Sequence, residues 1–153
     1  VETLASFISA IGIDSNVRTI STYVDSGEGK DAIKSCDIIF GCTDDNSGRV
    51  MLNRFAYFYL TPVIDMGIVI ERSETNPNLL QTLQGRFSVL QPHTTCLICR
   101  NVIDRTLARE EDLKRNDPDG YERQKKEAYV IGSGNPSPAV ITFTSEIASM
   151  SVN

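Results

Sequence analysis

The chain has 153 residues, 23% of them charged, and a formal net charge of −5. That length suits one domain with its own core and is short for two. An acidic chain without a basic cluster is a poor nucleic-acid binder on its own. No run is apolar for long enough to span a membrane, and no signal peptide is visible. Four cysteines without an extracellular signal favour reduced thiols or metal over disulfides, which makes a cytoplasmic protein the default.

Leu4, Phe7, Ile8 and Ile11 recur at helical spacing, and Gly12 ends the pattern. The chain starts at Val1, without Met and already in a helical pattern, and stops at Asn153 inside another, as expected of a piece of a longer protein. Residues 17–24 (VRTISTYV) alternate and are rich in β-branched side chains, which predicts a strand. Asp25-Ser26-Gly27 predicts a turn, and residues 28–35 a short helix. Ser26-Gly27-Glu28-Gly29-Lys30 lacks the spacing of a dinucleotide-binding loop, and no other glycine-rich fingerprint occurs.

Residues 36–67 are the centre of the chain. Asp37-Ile38-Ile39-Phe40 closed by Gly41 reads as a buried parallel strand. Thr43-Asp44-Asp45-Asn46 follows, residue types that accept from helix N-terminal amides. Met51, Leu52, Phe55, Ala56 and Tyr59 then share a helical face, Thr61-Pro62 stops the helix, and Val63-Ile64-Asp65-Met66-Gly67 is a second strand. Such a strand–helix–strand unit predicts a parallel pair with a right-handed crossover. Ligands of open α/β sheets bind beyond the carboxyl ends of the strands, where Asp44 and Asp45 stand. Two carboxylates there suit Mg²⁺ shared with substrate phosphates. Equally, one of them serves only as a helix cap.

Residues 68–71 and 85–90 read as antiparallel partners at one edge of the sheet, with 72–84 a long loop or short helix between them. Cys96-Leu97-Ile98-Cys99 has the spacing for two ligands of a structural zinc, and a closed site needs four. Cys36 and Cys42 flank one extended strand, roughly 20 Å apart at about 3.3 Å per residue, so they cannot both reach that ion. The alternatives for Cys96 and Cys99 are plain thiols at a turn, or one nucleophile. His93, the only histidine, reads as a surface loop residue. Residues 107–126 are dense in charge around Asn116-Asp117-Pro118-Asp119-Gly120, the pattern of a solvated helix, turn and second helix. Residues 132–138 (GSGNPSP) are a loop, and Ala139, Phe143, Ile147 and Met150 mark a core helix.

Asp44, with Arg49 five residues on and Asn53 four after that, resembles the ThiF/MoeB/HesA family, the adenylating domains related to ubiquitin-activating enzymes. Pro62-Val63-Ile64-Asp65-Met66-Gly67, the CxxC at Cys96 and Cys99, and residues 136–153 look like the same family, so the likeness covers most of the chain in order. The departure is Asp45, which stands where the family usually has Asn. The resemblance implies an α/β, Rossmann-like fold: a mostly parallel sheet with an antiparallel extension, forming the carboxyl-terminal part of an adenylating domain. In these terms residues 1–67 are the core, 68–105 the extension with the CxxC, 106–134 the charged crossover region and 135–153 the C-terminal helix. The phosphate loop of the family would precede Val1.

The implied activity of the parent protein is ATP-dependent adenylation of the C-terminal glycine of a ubiquitin-like or sulfur-carrier protein. Asp44 and Arg49 are then the candidate catalytic residues. Thr43, Asp44, Asp45 and Asn53 are the candidate nucleotide-binding set, with Asp44 on Mg²⁺, Arg49 bracing the loop or meeting phosphate, and Asn53 structural. Cys96 and Cys99 become half of a Cys₄ Zn²⁺ site, and a homodimer through the C-terminal helix is implied. The fragment alone is expected to be inactive. Three other readings stand beside it: adenylation of a tRNA-borne carboxylate, a dinucleotide-dependent oxidoreductase half-domain, and a non-catalytic dimerisation or binding module. The oxidoreductase needs a glycine-rich loop and a ribose-binding acid that are not visible.

Overall fold

In the computed structural model, residues 1–73, 75–76, 79–126 and 140–153 are described. They fall into two compact units, Val1–Cys36 and Asp37–Asn153.

In the first unit, the apolar spacing around Leu4 and Phe7 forms α1 (Glu2–Ala10), which ends ahead of Gly12 with its φ of 78°. None of the residues of α1 is buried. The predicted short helix is α2 (Gly27–Lys34), capped by Ser26, whose Oγ accepts from the Gly29 amide at 3.0 Å. Lys34 in its last turn pairs with Asp31 at 2.8 Å, which holds the Asp31 carboxyl below its ordinary range. Residues 17–24 are not a strand, contrary to the alternation of their side chains. A strand is held by a neighbour's backbone groups, and this unit contains no other strand to pair with.

The second unit is built on a three-stranded sheet in the order β1 (Ile39–Gly41), β2 (Val63–Arg72), β3 (Leu80–Leu90). β1 and β2 are parallel, Ile39 beside Val63 and Gly41 beside Asp65, as the strand–helix–strand pattern predicts. β2 and β3 are antiparallel, with Val63 opposite Leu90, Asp65 opposite Ser88 and Gly67 opposite Arg86. One expectation is corrected. The segments around Val63 and Ile68 are a single ten-residue strand, and β3 begins at Leu80, so both ends of the predicted loop are ladder. Side chains at its outer end are exposed, so apolar alternation there does not mark a buried face. The backbone pairing alone extends the strands.

The intervening helix is α3 (Asn46–Tyr59), closed by Leu60 in the left-handed conformation just before Thr61-Pro62. Its buried Leu52, Phe55 and Ala56 cover the sheet face carrying Ile39, Val63 and Leu90. The charged segment forms α4 (Arg105–Asn116), capped by Asp104, and α5 (Pro118–Lys126). The last helix is α6 (Ile141–Val152), on the other face of the sheet, where Ile147 lies against Gly85. Of the four predicted core positions, Ile147 is buried, Phe143 is half-buried, Met150 is 49% exposed, and Ala139 lies outside the described residues, as does the loop 132–138.

Candidate functional site

β1 stops at Gly41 while β2 runs on, and Cys42, Thr43, Asp44 and Asp45 bridge from that end into α3. The two adjacent carboxylates have different surroundings. Asp45 is the N-cap of α3: its Oδ2 accepts from the Gly48 amide at 3.0 Å, and Arg115 Nη1 lies 3.9 Å away. Asp44 is exposed and makes no hydrogen bond or ion pair with a described residue.

The N-terminus of α3 is satisfied from within the protein. Glu111 of α4 accepts from the Ser47 amide at 2.8 Å and from Asn46 Nδ2 at 3.3 Å. Asn46 Oδ1 in return accepts from the Asp104 amide at 3.1 Å. Ser47 Oγ hydrogen-bonds Asp112 and accepts from Arg115 Nη2 at 2.7 Å. The charge-dense stretch is therefore not simply a solvated helix, because Glu111, Asp112 and Arg115 are spent on α3. Amides at a helix N-terminus are a ready anion site. Here those of Ser47 and Gly48 are already taken by carboxylates.

Beyond the end of β1 lies a cavity of about 610 Å³. Cys42, Thr43 and Asp44 line it from the loop, Arg49 from α3, Met66, Gly67, Ile68 and Ile70 from β2, and Thr144 and Ile147 from α6. Thr43 Oγ1 is buried there with no hydrogen-bond partner among the described residues. Burial, with Asp65 adding to it, pushes the Cys42 thiol up from its ordinary range.

Under the cavity sits a cluster that sequence reasoning missed. Asp65 is fully buried, with Arg86 Nη1 2.6 Å from its Oδ2 and Arg49 Nε 3.4 Å from its Oδ1. Arg86 also donates to Ser88 Oγ at 3.2 Å. Arg49 Nε and Asp65 Oδ1 face each other without a formed hydrogen bond, so their contact is electrostatic. A charge in the middle of the apolar run Val-Ile-Asp-Met-Gly was the available signal, since buried charges require partners.

Asn53 does not line the cavity. It is buried, and its Oδ1 accepts from the Leu97 amide at 2.9 Å, tying α3 to the CxxC turn. In that turn the Cys96 and Cys99 sulfurs are 3.1 Å apart, and the Cys99 amide donates to Cys96 Sγ at 3.3 Å. That amide holds the Cys96 thiol below its ordinary range, while the neighbouring Cys96 sulfur pushes Cys99 up. This donor set fits half of a tetrahedral thiolate site. Among the described residues no third cysteine, histidine or carboxylate joins it. His93 is exposed, with φ of 73°. All four cysteines are free thiols.

A parallel β1–α3–β2 unit with an antiparallel extension, and a cavity at the carboxyl end of β1, define a Rossmann-like α/β domain. The chain belongs to the ThiF family, whose model matches residues 1–151. Members of that family are in general adenylyltransferases that act on ubiquitin-like or sulfur-carrier proteins and use ATP and Mg²⁺. No curated protein and no solved structure matches the chain. No helix among the described residues is long and apolar enough to cross a membrane.

Proposed function

We propose that the protein adenylates the C-terminal glycine of a ubiquitin-like or sulfur-carrier protein, with Asp44 and Arg49 at the reacting phosphates. The observation that carries this reading is the division of labour between the two aspartates. The fold uses Asp45 as a cap and leaves Asp44 at the cavity rim with no described partner. One such carboxylate, with phosphate oxygens, is the usual setting of Mg²⁺, which when bound would offset the negative charge developing on the phosphates. Arg49 lines the same cavity and presents a fixed guanidinium to an anion. Thr43 Oγ1, buried and unpartnered among the described residues, is a further polar group at that wall.

In the proposed reaction the carrier's terminal carboxylate oxygen forms a bond to the α-phosphorus of ATP, and the bond to pyrophosphate breaks. The protein's share is positioning and electrostatics. Cys96 and Cys99 contribute two thiolates to a structural zinc, and Asn53 supports that turn through Leu97. The proposal extends to a homodimer through α6, for which the exposed Met150 and Val152 offer apolar contacts.

The test is ATP–pyrophosphate exchange by the intact protein. Asp44→Ala is expected to abolish exchange with an unchanged melting temperature. Asp45→Asn, which still caps, should retain both. Full exchange by Asp44→Ala would overturn the reading, and an inactive, fully folded Asp45→Asn would move the metal role to Asp45.

A further inference from the structure

We propose that Asp65 is a positioning residue which, clamped by Arg86, fixes the Arg49 guanidinium against Gly67 so that the cluster offers one net positive charge to an anionic group bound in the cavity. This deepens the proposed function and rests on it for the identity of the anion, either a nucleotide phosphate or a peptide's terminal carboxylate.

Two guanidiniums converge on one carboxylate that is fully withdrawn from water. A single arginine would have neutralised Asp65, and the second leaves the cluster with an excess of positive charge. Arg86 takes the close contact at 2.6 Å, whereas Arg49 stands at 3.4 Å with Nε unbonded. Arg49 is thus steered by charge and is not consumed by the pair. It is also the member that lines the cavity, 15% exposed at its side chain.

Gly67 shows how closely this arrangement is fitted. A Cβ there would stand 2.8 Å from Arg86 Nη2 and 3.2 Å from Arg49 Nη2. The tip of a long side chain usually yields to such a contact, but Arg86 is pinned by Asp65 and Ser88. The bare backbone at position 67 is the floor on which both guanidiniums lie. Asp65 and Gly67 share one sheet face by their two-residue spacing, and their partners Ser88 and Arg86 share it too. The strand register therefore sets the position of the charge.

The experiment uses the intact protein and calorimetric binding of two probes, Mg·ATP and a peptide ending in a free glycine carboxylate, with the peptide amide as control. Gly67→Ala keeps every charge and displaces Arg49, while Asp65→Asn frees it. Both variants are expected to weaken binding of one probe by about tenfold or more, the value of a charge-assisted contact. Gly67→Ala should stay cooperatively folded, with a lowered melting temperature because the pinned Arg86 must shift. Weakening confined to ATP identifies phosphate as the anion; lost preference for acid over amide identifies carboxylate. Unchanged binding of both probes by a folded Gly67→Ala overturns the inference even if Asp65→Asn fails to fold. Asp44→Ala, measured alongside, separates the two readings. If only Asp44→Ala loses ATP, the positioning role falls and adenylation stands. If only the Gly67 and Asp65 variants lose affinity, the Asp44 role falls and the anion subsite stands.

Discussion

The Ser47 amide in the first turn of α3 donates to the carboxylate of Glu111 in α4, 64 residues further along the chain. A helix N-terminus is thus capped twice, locally by Asp45 and at long range by Glu111. Because the cap residues directly follow Asp44, α4 fixes where Asp44 stands.

Removal of the long-range cap has a defined cost. Glu111→Ala is expected to lower stability by about 1–2 kcal/mol, the range for a lost cap with an ionised acceptor. Glu111→Gln keeps an acceptor oxygen and should lose less. Urea denaturation of the two variants against the parent checks this, and equal stability of Glu111→Ala would show that solvent caps α3 as well as α4 does.

A second expectation concerns Asn53. Its side chain satisfies the buried Leu97 amide. Asn53→Ala leaves that donor unpaired, which costs about 1–3 kcal/mol. Hydrogen exchange resolved at Leu97 should accelerate beyond the change explained by global stability. Acceleration no greater than the loss of global stability explains would mean that the turn closes around another acceptor.

The two CxxC thiols should differ in reactivity. Cys96 is lowered by the Cys99 amide and Cys99 is raised by the Cys96 sulfur. As pH rises, Cys96 becomes thiolate first. Below the ordinary thiol range, iodoacetamide should therefore modify Cys96 ahead of Cys99, with the difference shrinking at alkaline pH. Mass spectrometry of the metal-free protein across a pH series reads the order directly, and preferential labelling of Cys99 would reverse the assignment.

Local patterns in the sequence carried α1, α2, α3 and the parallel pair, because apolar spacing and stop signals such as Gly12 and Thr61-Pro62 act over a few residues. The position of the two aspartates at the end of β1 was legible for the same reason. Which of them caps the helix was not, since Asp44 and Asp45 differ by one residue and only the geometry at Gly48 separates them. The docking of α4 and the Asp65 cluster were hidden more deeply. Each depends on residues far apart in the chain, Ser47 with Glu111 and Asp65 with Arg86. The failure at residues 17–24 has the opposite cause, a good local pattern with no edge in its own unit to complete it.

β2 belongs to two neighbourhoods. From Val63 to Asp65 it is an interior strand, bonded on both sides, and from Met66 outward it is bonded to β3 alone. Local opening free energies in a protein follow such differences in bonding and burial. The outer hairpin is therefore expected to open at a lower free energy than the inner ladder. Gly67 lies just past that change of regime, and Asp65 just before it. The carboxylate that anchors the charge cluster is rooted where the sheet is bonded on both sides, while the cavity floor beside it is held by β3 alone.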